Sequence, residues 1–131
     1  MAQKKFKENS PRIKVIQKIY NYLMNPASEI QYSKNKYKKF IKDVVNGTLE
    51  RNEVIDNEIN LHLKDDIDVR RIDKVFEVIL KSAIFELLYK PTTSSNIIIK
   101  EYLNASNFFI DLSQTKFLNA VLDKLSKKIR S

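Results

Sequence analysis

An all-α fold follows from three observations. The chain of 131 residues carries one glycine and three prolines, too few for the turns that sheets and sandwiches require. Its apolar residues recur at three- and four-residue intervals, the period of a helix face. The segment Ile79-Leu80-Lys81-Ser82-Ala83-Ile84-Phe85-Glu86-Leu87 is apolar almost all the way round. At helical pitch Val75, Ile79, Ala83 and Leu87 cover one side, and Val78, Phe85, Ile84 and Leu88 cover most of the other. A helix with no wide polar face belongs at the centre of a core. Glu86 falls inside the first stripe, so it needs a partner: a buried Arg, Lys or backbone donor. The length suits one domain with one core, and 43% hydrophobic residues is ordinary for a globular protein.

The elements read in order as follows. Residues 1–9 form a flexible basic arm, and residues 10–131 form the helical domain. Ser10 followed by Pro11 reads as an N-cap and a proline at the first helical position. Ile13, Ile16, Ile19, Tyr20 and Leu23 then share one face, and Pro26 with the polar stretch after it ends this helix. A second periodic run extends from near Lys36 to about His62 through Phe40, Ile41, Val44, Val45, Leu49, Ile55 and Ile59. Gly47 sits inside it at a cost of about 1 kcal/mol against alanine, which points to a close helix crossing. Leu63 to Asp68 is a charged connection. The central helix runs from about Ile72 to Tyr89 and Pro91 closes it. Thr93, Ser94 or Ser95 caps the next helix, whose core face holds Ile98, Ile99, Tyr102, Leu103 and Ser106. Ser113 caps the last, with Phe117, Leu118, Val121, Leu122, Leu125 and Ile129 as its stripe. Five or six helices result, in one compact domain.

Composition excludes several functions. With no cysteine, disulfides and thiolate metal sites are impossible, and a reducing compartment fits. No run of about 18 apolar residues is present, so no membrane span is expected, and the N-terminal charges lack the apolar stretch of a secretory signal. One glycine cannot build a phosphate-cradling loop. His62, the single histidine, reads as a surface residue, and Asp65, Asp66 and Asp68 read as a solvated loop, not a metal site. No cofactor is expected, and an enzyme is not.

The formal net charge is +8, which points to a polyanion, most often nucleic acid. The alternative is compositional drift toward lysine, which raises the charge without any ligand. Lys4, Lys5, Lys7 and Arg12 lie in the arm and first helical turn. They read either as a phosphate-tracking arm, gaining affinity by counterion release, or as a solubilising tail. On the last helix Phe117 lies at the rim of the apolar stripe, with Lys116, Ala120, Lys124 and Lys127 just beyond. An aromatic ring bordered by lysines suits single-stranded RNA, with a base stacking and phosphates pairing; the alternative is a core residue at a helix start.

Five motifs in order resemble the bacterial NusB family of RNA-binding antitermination factors. Arg12 to Tyr20 is similar to R-x-x-A-x-Q-x-L-Y. Val44-Val45-Asn46-Gly47 with Asp56 resembles L-x-x-G followed by an aspartate. Ile79 to Leu87 is similar to I-L-R-x-A-x-Y-E-L, Ile99-Lys100-Glu101 to I-N-E, and Phe117-Leu118-Asn119-Ala120-Val121-Leu122-Asp123 to F-V-N-G-V-L-D. The resemblance covers Arg12 to Asp123. It implies five to seven helices in two packed subdomains. It implies a cytoplasmic protein that binds boxA-type single-stranded RNA of ribosomal RNA leaders. The implied partners are a ribosomal small-subunit protein acting as NusE and, through it, the RNA polymerase antitermination complex. By the resemblance Arg12, with Lys4, Lys5 and Lys7, meets phosphates. Phe117 contacts a base, Lys116, Asn119 and Lys124 accompany it, and Tyr20, Phe76 and Lys81 lie toward the partner.

The chain departs from the family pattern at several places. The arm carries lysines for arginines, which removes bidentate phosphate contacts. Lys81 replaces an arginine, and Phe76 stands where many relatives are acidic. Ala120 replaces a glycine, so the last helix is expected further from its neighbour. The short connection between Tyr20 and Phe40 implies a reduced second helix. Two other functions fit the same motifs less completely: a stand-alone RNA-binding module related to ribosomal RNA cytosine methyltransferases, and a helical protein–protein adaptor.

Overall fold

Pro11 occupies the first position of a helix, where its missing N–H is no loss and its fixed φ suits the turn. That helix opens a computed structural model that describes residues 10–130; the arm of residues 1–9, with Lys4, Lys5 and Lys7, lies outside the described residues. Six helices and no strand are found among those described: α1 (Pro11–Met24), α2 (Lys38–Glu50), α3 (Asn52–Leu63), α4 (Lys74–Tyr89), α5 (Ser95–Ser106) and α6 (Leu112–Ile129). None is long and apolar enough to cross a membrane.

The nearly uniform apolar surface of α4 puts it at the centre. It touches each of the other five helices, and ten of its side chains are buried, from Phe76 to Leu87. The pair α1–α2 packs on one part of α4 and the pair α5–α6 on another, with α1 also meeting α5 and α3 meeting α6. Gly47 of α2 lies against Phe85 of α4, so closely that an added Cβ would fall on the ring. This is the close crossing that a mid-helix glycine suggested. The stretch 25–37 holds no helix, consistent with the short connection; its Ile30 and Tyr32 pack partly against the core.

Three boundaries differ from the sequence reading. The run from Lys36 to His62 is two helices, because the chain turns at Arg51 (φ −97°, ψ 22°). The buried positions Ile41, Val44, Val45 and Thr48 continue in phase into Ile55 and Ile59, so the periodicity carries no trace of the break. α4 starts at Lys74, two residues after Ile72. The last helix is capped by Asp111, not Ser113: the Asp111 carboxylate accepts from Gln114 N at 2.8 Å, and the Gln114 side chain accepts from Asp111 N at 3.3 Å. This is a capping box, and Ser113 is already helical. Ser94 caps α5, accepting from Ile97 N at 3.2 Å.

The C-terminal end of α4 is closed from a distance. Arg130 donates to the carbonyls of Leu87 (2.9 Å), Lys90 (2.9 Å), Glu86 (3.2 Å) and Thr93 (2.6 Å). A helix leaves its last carbonyls unpaired. The guanidinium pairs the Leu87 carbonyl, adds a second donor to those of Glu86 and Lys90, which also accept from Lys90 N and Thr93 N, and locks the end of α6 to the end of α4.

Candidate nucleic-acid interface

The starts of α4 and α6 are pinned together. Gln114, already engaged in the α6 capping box, donates from Nε2 to the Asp73 carboxylate at the N-cap of α4, 3.2 Å away. Phe76 lies in the first turn of α4 and Phe117 in the second turn of α6, and this junction brings their rings to 5.7 Å between centroids at 23°. Phe76 is 2% exposed and Phe117 is 41% exposed. The result is an exposed ring backed by a buried one: a flat apolar surface whose orientation the core holds. Phe76 was placed toward a protein partner by the resemblance; its burial beneath Phe117 instead makes it the support of this platform.

Cations border the platform. Lys116 is exposed and forms no ion pair among the described residues. Asn119 and Ala120 are exposed. Ala120 therefore points away from the neighbouring helices and does not push α6 outward. Lys124 is held 2.7 Å from Asp66 in the connection after α3, and Lys127 lies 3.0 Å from Asp123. Both are surface pairs that contribute little to stability and exchange readily with another anion.

Arg12 answers the question posed by Glu86. Its Nη2 lies 2.7 Å from Glu86 Oε1 and its Nε 3.1 Å from Oε2, a two-pronged contact. Tyr102 donates its hydroxyl to Oε2 at 2.5 Å. The guanidinium sits over the Phe40 ring at 4.7 Å, and Glu101 lies 4.0 Å away. Burial pulls the Arg12 pKa down, but the hydrogen bonds and charge of Glu86 outweigh it, with help from Tyr102 and Glu101, and leave it raised. The Tyr102 hydroxyl is pushed well above its ordinary value by burial and then by the Glu86 charge. Arg12 is thus largely consumed: it ties the start of α1 to the middle of α4.

Lys81 is consumed similarly. It lies 2.9 Å from Asp56 and 3.0 Å from Glu77, and donates to Asn52 Oδ1 at 2.9 Å, bracing α3 against α4. Burial lowers its pKa, but the hydrogen bonds and charges of Asp56 and Glu77 prevail and raise it. Tyr20 is half-buried on α1. His62 is also half-buried, not fully at the surface, with Nε2 3.5 Å from Glu58. Asp66 and Asp68 are engaged by Lys124 and by Arg70 and Arg71. Among the described residues no group of three His, Cys, Asp or Glu side chains could hold a metal ion.

Residues 1–127 match the NusB family. The chain belongs to that family. It is similar to the transcription antitermination protein NusB of Rickettsia akari (strain Hartford), with 28% identity over 122 residues, 87% of this chain and 76% of that protein. It is 38% identical over 96 residues to the protein of the same name from Helicobacter pylori (strain G27), covering 73% of this chain and 68% of that one. In other relatives of that name the match spans only 62% or 55% of their length. The fold matches that of Thermotoga maritima NusB with a TM-score of 0.77 and 20% identity, over 93% of each chain. The all-α, NusB-like architecture read from the motifs is therefore the architecture found. The supporting residues Gln114, Asp73 and Arg130 were missed. D-x-x-Q ahead of an apolar run was a legible cue for the α6 cap, whereas nothing local marks Asp73 or Arg130.

Proposed function

We propose that this NusB-family chain is a cytoplasmic, non-enzymatic transcription antitermination factor that binds boxA-type single-stranded RNA of ribosomal RNA leaders. The observation that carries the reading is the Phe117 ring, 41% exposed and backed by Phe76 at 5.7 Å. Stacking a base on a ring costs least when the ring is already fixed, because little side-chain entropy is then lost. A base stacks on Phe117, Lys116 and Lys124 meet the flanking phosphates, and Asn119 offers hydrogen bonds to a base edge. The charge of +8 and the lysines at 4, 5 and 7 extend the phosphate contact. Arg12 acts as a positioning residue, holding the start of α1 from which the basic segment leads. A ribosomal small-subunit protein acting as NusE joins on the side of Tyr20 and Lys81 and connects the complex to RNA polymerase.

The test is Phe117→Ala in fluorescence anisotropy with a boxA-like strand and a scrambled strand. Loss of the stack should weaken boxA binding by about 1–3 kcal/mol and leave the scrambled strand nearly unchanged. Neutralising about five phosphates also predicts a log–log salt slope near −3 to −4. Equal losses with both strands would contradict a boxA-selective role for Phe117, because stacking alone is sequence-tolerant.

A further inference from the structure

A cleft of about 560 Å³ lies between α2 and the C-terminal end of α4. It is remote from Phe76 along α4, which has 16 residues and is therefore about 24 Å long. Gly47 and Phe85 line it, and it carries four cationic side chains, Lys39, Lys42, Arg51 and Lys90, with Asp43 and Glu50. Lys90 pairs with Asp43. Lys39, Lys42 and Arg51 are exposed and have no ion pair among the described residues. The Arg51 guanidinium instead lies over the Tyr89 ring, 5.1 Å from its centroid. Tyr89 in turn lies 5.1 Å from Phe85, tilted by 30°. A buried ring thus supports an exposed ring, which carries a planar cation. The glycine makes this possible: a side chain at position 47 would displace Phe85.

We infer that this cleft is a second contact for single-stranded RNA, with an unpaired base stacking on the Arg51–Tyr89 pair and the adjoining phosphates meeting Lys39 and Lys42. The inference rests on the RNA-binding reading and extends it from one end of α4 to the other. Unpaired bases stack on guanidinium planes as well as on aromatic rings, and stacking with lysines free of ion pairs alongside is the pattern of a single-strand groove; Lys42, 6.0 Å from the centroid of the Tyr32 ring, keeps that contact without a carboxylate. A duplex would offer its phosphates but not its base faces. Glu50 keeps the cleft from being uniformly basic, which favours a stacked base over a bare polyphosphate.

The experiment compares a boxA-like strand with the same strand extended on both sides by about eight nucleotides. Anisotropy is measured at several salt concentrations for the wild-type chain, Arg51→Ala, the double variant Lys39→Gln/Lys42→Gln, and Phe117→Ala. The extended strand should bind the wild-type chain roughly tenfold tighter than the short one, about the effect of one stacked base. Arg51→Ala should abolish most of that advantage and leave the short strand unchanged. The double lysine variant should reduce the salt slope for the extended strand by about 1.4, at 0.7 per phosphate. Lysines 39 and 42 lie on the surface, so this variant decides the matter even if Arg51→Ala loosens the fold. Phe117→Ala should weaken both strands. If Phe117→Ala is silent while the cleft variants still weaken the extended strand, the Phe117 reading fails and the cleft stands. Cleft variants that leave the extended strand unchanged, or weaken both strands equally, overturn the inference.

Discussion

Replacing Arg12 by alanine should strike the fold harder than any surface substitution. Glu86 is fully buried, and Arg12 supplies both of its cationic contacts, at 2.7 and 3.1 Å. Without Arg12 the carboxylate keeps only the Tyr102 hydroxyl, on Oε2, and Oε1 is left unpaired. Breaking a buried ion pair by removing one partner costs about 3–5 kcal/mol, a large part of the 5–15 kcal/mol that holds a domain folded. The contact with the Phe40 face at 4.7 Å is lost at the same time and lies within that figure. The assay is urea unfolding followed by far-UV circular dichroism, with the shift in midpoint read at constant m. The double variant Arg12→Met/Glu86→Leu removes both charges and should recover all but about 1–2 kcal/mol, because apolar replacement of a buried pair is often near neutral. The same double variant separates two roles for Arg12. A positioning residue leaves RNA affinity within about threefold once the fold is restored, whereas a direct phosphate contact takes about 0.7 of salt slope with it. A loss below about 1 kcal/mol for Arg12→Ala, or strict additivity of the Arg12 and Glu86 substitutions, would refute the reasoning.

Gly47→Ala gains helix propensity of about 1 kcal/mol but drives a methyl into the Phe85 ring; a net loss of about 1 kcal/mol is expected from overpacking. Adding Phe85→Leu should reverse it in thermal unfolding, and a more stable Gly47→Ala single variant would contradict the crossing. Arg130→Met strips the donors from the end of α4 and should cost about 2 kcal/mol; a change below about 0.5 kcal/mol would mean that solvent serves those carbonyls equally well. The chain should also lose stability in alkali. Tyr102 holds its proton in the folded state above the pH at which the unfolded chain releases it, so the folded state binds more protons and stability falls as pH rises past about 10, by about 1.4 kcal/mol per unit for this one group. Lys81, whose pKa is also raised, acts in the same direction. Tyr102→Phe should flatten that slope in unfolding curves collected from pH 8 to 11; an unchanged slope would remove Tyr102 as its source.

The all-helical class and the centrality of α4 were legible because they depend on local pattern. Scarce glycine and an apolar surface on all sides leave few other architectures for the Ile79–Leu87 segment. Glu86 declared a need for a partner, but Arg12 and Tyr102 stand 74 and 16 residues away in sequence, and no local rule selects them among the many basic and hydroxyl side chains. Gly47 announced a close crossing without naming Phe85. The turn at Arg51 was hidden because its flanking helices keep the same hydrophobic phase. Phe117 was visible at the rim of a stripe. Its support by Phe76, and the Gln114–Asp73 contact that aligns them, depend on the packing of two helices about 40 residues apart and have no local signature. Lys81, Lys124 and Arg130 show the same limit: a basic residue in a basic chain looks free until its acidic or carbonyl partners are placed.

The proposed function requires selective RNA binding shared with a ribosomal protein. The most direct test is anisotropy with boxA-like and scrambled strands, with and without the ribosomal small-subunit protein, for the wild-type chain and Phe117→Ala. The expected result is preference for the boxA-like strand, strengthened by the partner and lost with Phe117. Weak, salt-sensitive binding that is the same for both strands and indifferent to the partner and to Phe117 would contradict it.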